Sequence, residues 1–125
     1  MRELKFRAWH TEKRRMFEVY GLGIDFVTEN TFDGVDPGTN AFCGDDMNFI
    51  EIMQFIGIKD VEGADTYEGD IVGDGHSKGI VFFNKDEAKF QVDFSPYDEC
   101  PQDLSSGVNC WHIILGNIYE NPDLV

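Results

Sequence analysis

Polar and apolar residues alternate through Lys5-Phe6-Arg7-Ala8-Trp9, the period of a strand with one buried face. His10-Thr11-Glu12-Lys13 is a polar break, after which Arg15-Met16-Phe17-Glu18-Val19-Tyr20 resumes the alternation. The two runs predict a hairpin with a charged outer face. Gly21 and Gly23 interrupt it, and residues 24–27 predict a further short strand. Residues 28–47 read as a long loop, because Asp33-Gly34, Asp36-Pro37-Gly38 and Asp45-Asp46 are turn chemistry with little apolar content between them. A loop of that length in a compact domain is functional or mobile. It marks the boundary between an N-terminal hairpin unit with its loop (1–47) and a C-terminal module (48–125), within one compact domain.

The most apolar run covers residues 49–58, where β-branched and aromatic enrichment favours a strand over a helix. Glu62-Gly63 predicts a turn, and residues 66–72 predict a returning strand. Residues 79–83 and 90–94 predict a hairpin across Asn84-Lys85-Asp86-Glu87. A proline-containing loop over 95–107 leads to a last strand over 108–115, stopped by Gly116-Asn117. Short strands at this spacing point to a mainly β chain with a small antiparallel barrel in its C-terminal half.

At 125 residues, 42% of them hydrophobic and eleven of them Phe, the chain can bury a core without disulfides or metals. Charge is divided unevenly. Residues 1–15 hold six basic and two acidic groups, whereas residues 16–125 hold four basic and twenty-two acidic groups, a net of −18. Such a field repels phosphate backbones, so the acidic body is not expected to bind nucleic acid directly. Solubility is one reading of the charge; attraction to basic partners, including the basic N-terminal strands of a second copy, is the other. The chain start lacks the apolar core of a secretory signal, and no stretch approaches the ~20 apolar residues of a membrane span. Three cysteines (Cys43, Cys100, Cys110) without a CxxC spacing read as reduced thiols in a cytoplasm.

Several segments together resemble the YopX-like family of prophage- and phage-encoded proteins. They are Met1-Arg2-Glu3-Leu4-Lys5-Phe6-Arg7-Ala8-Trp9 with the basic turn Lys13-Arg14-Arg15-Met16, then Gln54-Phe55-Ile56-Gly57-Ile58-Lys59-Asp60, Tyr67-Glu68-Gly69-Asp70-Ile71-Val72, and finally Gly116-Asn117-Ile118-Tyr119-Glu120-Asn121-Pro122. Residues 20–48 and 95–107 lie outside the resemblance. Phe55-Ile56-Gly57-Ile58 stands where Tyr-Thr-Gly-Leu is common in the family, and Glu62-Gly63 where Asn-Gly is common. The resemblance implies an SH3-like barrel in the C-terminal half, with the N-terminal hairpin as an extension. It also implies self-association, and no established reaction. Independently of the family, Gly69 is placed where the chain turns into a barrel strand, Gly116 where a bulge leaves the last one, and Asn117 where a side chain can bond local backbone.

Candidate chemistry is sparse. Cys110 and His112 share a strand face and could, with Cys100 and Cys43, suggest zinc, but structural zinc sites use closely paired ligands. A buried cysteine beside a partly exposed histidine is the better reading. Asp70, Asp74 and His76 could suggest a hard cation. Asp60-Val61-Glu62-Gly63-Ala64-Asp65 lacks the ligand pattern of a calcium loop, so turn residues are the better reading. No nucleophile elbow, phosphate-binding loop or zinc-protease motif occurs. The expectation is therefore a cytoplasmic phage accessory protein without catalytic residues, metal or cofactor. It would form homo-oligomers or bind a basic host or phage protein, and it would not associate with membranes. Its candidate interaction surface is an exposed aromatic and acidic set: Trp9, Tyr67, Glu68, Asp70, Tyr119 and Glu120. The alternatives are an acidic DNA mimic that blocks a DNA-binding protein, and a metal-dependent enzyme acting on nucleic acid or nucleotides.

Overall fold

The computed structural model describes residues 4–24, 26–30, 39–95 and 100–124. The chain is mainly β, in two antiparallel sheets, and it divides into the compact units Lys5–Met53 and Gln54–Val125. The division falls six residues later than the expected boundary at 47/48, because Ile50 belongs to the first core.

In the N-terminal unit, β1 (Phe6–His10) and β2 (Arg15–Leu22) form the expected hairpin, with Ala8 opposite Phe17 and Trp9 opposite Met16. β3 (Phe26–Asn30) and β4 (Thr39–Cys43) follow, and a 3-10 turn (Gly44–Phe49) leads into β5 (Ile50–Lys59). The strand order is β4-β3-β2-β1-β5. Much of the expected 28–47 loop is thus strand and 3-10 turn, with residues 31–38 outside the described set. The polar residues that suggest a loop are accommodated by pairing. Glu29 is buried because the Arg15 guanidinium grips its carboxylate with both terminal nitrogens, the geometry that makes such a charge tolerable in a core. Around it Ala8, Phe17, Val27, Phe42 and Ile50 form the core. Val27 lies opposite Phe42, and the Phe17 and Phe42 rings are 5.4 Å apart.

In the C-terminal unit, β6 (Asp65–Tyr67) pairs with the later part of β5, Phe55 opposite Tyr67. The second sheet comprises β7 (Asp70–Gly73), β8 (Lys78–Asn84), β9 (Lys89–Asp93), β10 (Gln102–Asp103) and β11 (Ile113–Asn117), in the order β10-β9-β8-β7-β11. β7 to β10 form a meander, and β11 returns to pair with β7. Ile71 and Val72 point to opposite faces of β7, yet both are buried, so both faces of this inner strand are covered. Val72, Val81, Val92 and Phe94 form the core, with Ile56, Leu104, Trp111 and Ile114 against it.

Three further expectations are corrected here. The returning strand over 66–72 is two strands, broken at Glu68-Gly69. The loop over 95–107 contains β10. The last strand starts at Ile113 rather than at 108, because Gly107–Asn109 is a 3-10 turn. Gly69 adopts φ 86°, as its turn position predicts, and the β7–β11 register shifts between Ile114 and Gly116, the expected bulge.

Two backbone positions give opposite predictions. A Cβ on Gly79 would lie 2.6 Å from the Asp93 carbonyl oxygen and 2.7 Å from Val92 Cγ1, so Gly79→Ala should destabilise the protein by about 1–3 kcal/mol. Ala88 holds φ 55° in the β8–β9 turn, so Ala88→Gly should stabilise by roughly 0.5–1 kcal/mol. Urea denaturation checks both signs.

Candidate functional site

Most of the surface expected from the sequence is not exposed. Trp9 and Asp70 are buried, Tyr67, Glu68 and Tyr119 are half-buried, and only Glu120 is exposed. Trp9 lies in the N-terminal unit and the other five in the C-terminal unit. Those five sit in two turns whose polar groups are engaged with backbone. The Glu68 carboxylate accepts from the Gln54 N–H (2.9 Å) while the Glu68 N–H donates to the Gln54 carbonyl (3.0 Å). Asp70 Oδ2 accepts from the Tyr67 N–H (2.8 Å). Gly69 donates to the Val81 carbonyl and accepts from the Ile118 N–H. In the second turn Asn117 Oδ1 accepts from the Tyr119 and Glu120 N–H groups, and Asn117 Nδ2 donates to Glu120 Oε1. A Cβ on Gly116 would overlap the Asn121 side chain, whose Oδ1 accepts from the Asn117 N–H. These segments shape the fold.

The exposed apolar surface lies elsewhere. Tyr20, Leu22, Ile24 and Phe26 are all exposed around the β2–β3 turn, Ile24 completely (105%). The Gly23 N–H donates to the Phe26 carbonyl and closes that turn, and a Cβ on Gly23 would overlap the Phe26 ring. Beside this hairpin β4 ends the sheet, paired only with β3 among the described residues. Its sequence, Thr39-Asn40-Ala41-Phe42-Cys43, contains no charge and no proline, the devices that usually guard a sheet edge. Nearby residues of the same unit form a cleft of about 530 Å³, in which His10 stacks on Phe49 and meets Phe42 edge-on. His10 Nδ1 accepts from the Lys13 N–H, so it closes the β1–β2 turn.

A second constellation was visible in the sequence only as a shared strand face. His112 is fully buried rather than half-exposed. Its Nε2 is 2.8 Å from Thr66 Oγ1 and its Nδ1 is 3.5 Å from Cys110 Sγ. Asp60, also buried, receives the N–H groups of Glu62 and Ala64 on Oδ1 and that of Ile114 on Oδ2. Burial pushes the Asp60 carboxyl up, but those three donors and the nearby His112 outweigh it and hold the group below the usual carboxylate range. Burial likewise holds His112 below the ordinary histidine value, against the pull of Asp60. Among the described residues no group of three or more His, Cys, Asp or Glu side chains could hold a metal. Asp74 instead accepts from the His76 and Ser77 N–H groups, Asp70 closes its own turn, and Cys43 and Cys100 are exposed and outside any disulfide among the described residues. No helix is long and apolar enough to cross a membrane among the described residues.

Two measurements follow. Glu68→Ala should cost about 1–2 kcal/mol, whereas Glu68→Gln, which keeps an acceptor oxygen for Gln54, should cost little; urea midpoints separate the two. Folding weakens proton binding at His112, so below about pH 6.5 the unfolded chain takes up the proton that the folded chain resists. The stability from His112 is complete above that pH and is lost on acidification through it, before the carboxylates Asp60 and Asp74 lose theirs below about pH 4. The urea midpoint should therefore drop between about pH 7.5 and 5.5; an unchanged midpoint contradicts this assignment.

The crystal structure of protein EF1440 from Enterococcus faecalis is similar in fold, with a TM-score of 0.67 and 23% identity over 99% of both chains. No curated protein matches the chain. The family model described as YopX protein matches residues 5–125, and the chain belongs to that family.

Proposed function

We propose that this protein is a non-enzymatic accessory protein of phage or prophage origin, acting in the bacterial cytoplasm, that works by associating with a second copy of itself. The observation that carries the reading is the β4 edge, uncharged, without proline and paired only with β3 among the described residues, next to the exposed Tyr20, Leu22, Ile24 and Phe26. An unprotected edge is a template for an added strand. Two copies of β4 can pair antiparallel about a two-fold axis, and each would bring its own apolar hairpin end to the contact. Charge favours this end of the chain. Residues 5–53 hold five basic and nine acidic groups, a net of −4, whereas residues 54–125 hold four basic and fourteen acidic groups, a net of −10. Copies that meet through the N-terminal unit bring together the less repulsive surface. An SH3-like module in the C-terminal unit fits the same picture as a carrier of acidic surface.

That concentration of charge also favours a second reading, in which the acidic unit occupies the DNA-binding face of a basic protein. Such a complex would dissociate as salt is raised.

Sedimentation over a concentration series tests the first reading. The wild-type chain should form a dimer. Ala41→Lys, which sets like charges across a β4–β4 contact, and Ile24→Asp should each shift it to monomer with the melting temperature unchanged. A wild-type chain that is monomeric throughout the series overturns self-association.

A further inference from the structure

The Cys110–His112 pair has a geometry that the fold does not require of a passive core contact. Cys110 is only partly covered, and it lines a cleft of about 570 Å³ with Phe55, Gly57, Lys59, Val61 and Ser106. Its sulfur is 3.5 Å from His112 Nδ1. The ring cannot turn away. It is completely buried, Thr66 Oγ1 holds Nε2 at 2.8 Å, and the backbone on either side of it is tied down, because the His112 carbonyl accepts from Val61 and the following strand is anchored by Asp60 through Ile114. The tautomer that donates Nε2–H to Thr66 leaves the lone pair of Nδ1 facing the thiol. The Lys59 carbonyl, 3.5 Å from the sulfur, offers the thiol hydrogen its alternative resting place. A thiol, a fixed base and a cleft beside them are the parts of an activated cysteine.

We propose that Cys110 is a thiol-exchange site that forms a mixed disulfide with small disulfides entering the cleft, with His112 as its base. The thiol proton passes from Sγ to His112 Nδ1, and the thiolate attacks one sulfur of the incoming disulfide. A new S–S bond forms as the old one breaks, and the departing thiolate recovers the proton from His112. One disulfide and one thiol enter, one of each leaves, and no other oxidant takes part. The change is stoichiometric, and it leaves a group attached in the cleft. Cys43 and Cys100 are more exposed than Cys110, so accessibility alone predicts that they react first, and activation by His112 predicts the opposite order.

Dithiodipyridine, whose release of thiopyridone is followed by absorbance, supplies the test on three full-length chains with one cysteine each: C43S/C100S, C100S/C110S and C43S/C110S. The chain that keeps only Cys110 should react about tenfold faster than either of the others when folded, and the advantage should disappear in urea. His112→Gln on the Cys110-only chain should reduce its rate to that of the exposed thiols. If that variant fails to fold by circular dichroism, Thr66→Val replaces it; it leaves the ring in place without its anchor and should slow the reaction several-fold. A folded Cys110 that reacts no faster than Cys43 and Cys100 overturns the proposal, as does a folded His112→Gln or Thr66→Val chain whose Cys110 reacts at the unmodified rate.

Discussion

The C-terminal unit depends on one turn. Between β6 and β7 the backbone must reverse while both flanking strands keep their partners, and Gly69, at φ 86°, is the residue that makes the reversal cheap. Everything around it is a hydrogen bond to a different element: Glu68 to Gln54 on β5, Gly69 to Val81 on β8, and Ile118, just past β11, to Gly69. Backbone groups in so crowded a place cannot be left unsatisfied without a cost of about 1–3 kcal/mol each. The charged residues beside the glycine therefore serve as acceptors for amides that have no strand to pair with. Asp70 illustrates this: it is 1% exposed yet bonded to the Tyr67 amide.

The same logic explains Asp60. It gathers three amides from both sides of a turn and from a strand more than fifty residues away, so a single carboxylate joins the end of β5 to the start of β11. His112 lies beside it, buried and held by Thr66. These polar groups are fully engaged, and such networks specify one arrangement of a core more sharply than apolar contacts do. The N-terminal unit has a simpler device, the Arg15–Glu29 pair between β2 and β3, and otherwise depends on aromatic packing around Phe17 and Phe42.

Much of this was legible in the residues. The β8–β9 hairpin could be read because the apolar run Gly79 to Phe83 and the alternating run Phe90 to Phe94 flank a turn closed by Asn84, whose side chain accepts from the Asp86 N–H. Gly69, Gly116 and Asn117 could be read because their roles are local. The start of β3 fell within the strand expected over 24–27, but the rest of β3 and all of β4 were hidden because each buries little: Val27 and Phe42 face the core, while Glu29 resembles a loop residue until Arg15 is seen beside it. The site was less legible than the fold. Aromatic and acidic residues in a recurring motif suggest a surface, yet Trp9 and Asp70 are inside, since a side chain that satisfies backbone looks in sequence like one that awaits a partner. Cys110 and His112 have the spacing of one strand face although both precede β11, whereas Thr66 lies 46 positions from His112, and no local pattern records a contact of that range.

β11 has a consequence for how the protein comes to exist. It pairs with β7 across residues 74–112, and closing so long a loop is entropically slow compared with zipping up neighbouring hairpins. A ribosome delivers β7 to β10 well before it delivers β11. For that interval Ile71 and Val72 sit on a strand with one bare edge. The nascent chain must therefore cross a window of vulnerability to wrong pairing that ends only when β11 leaves the exit tunnel, and the speed of translation between β10 and β11 sets how long the window stays open.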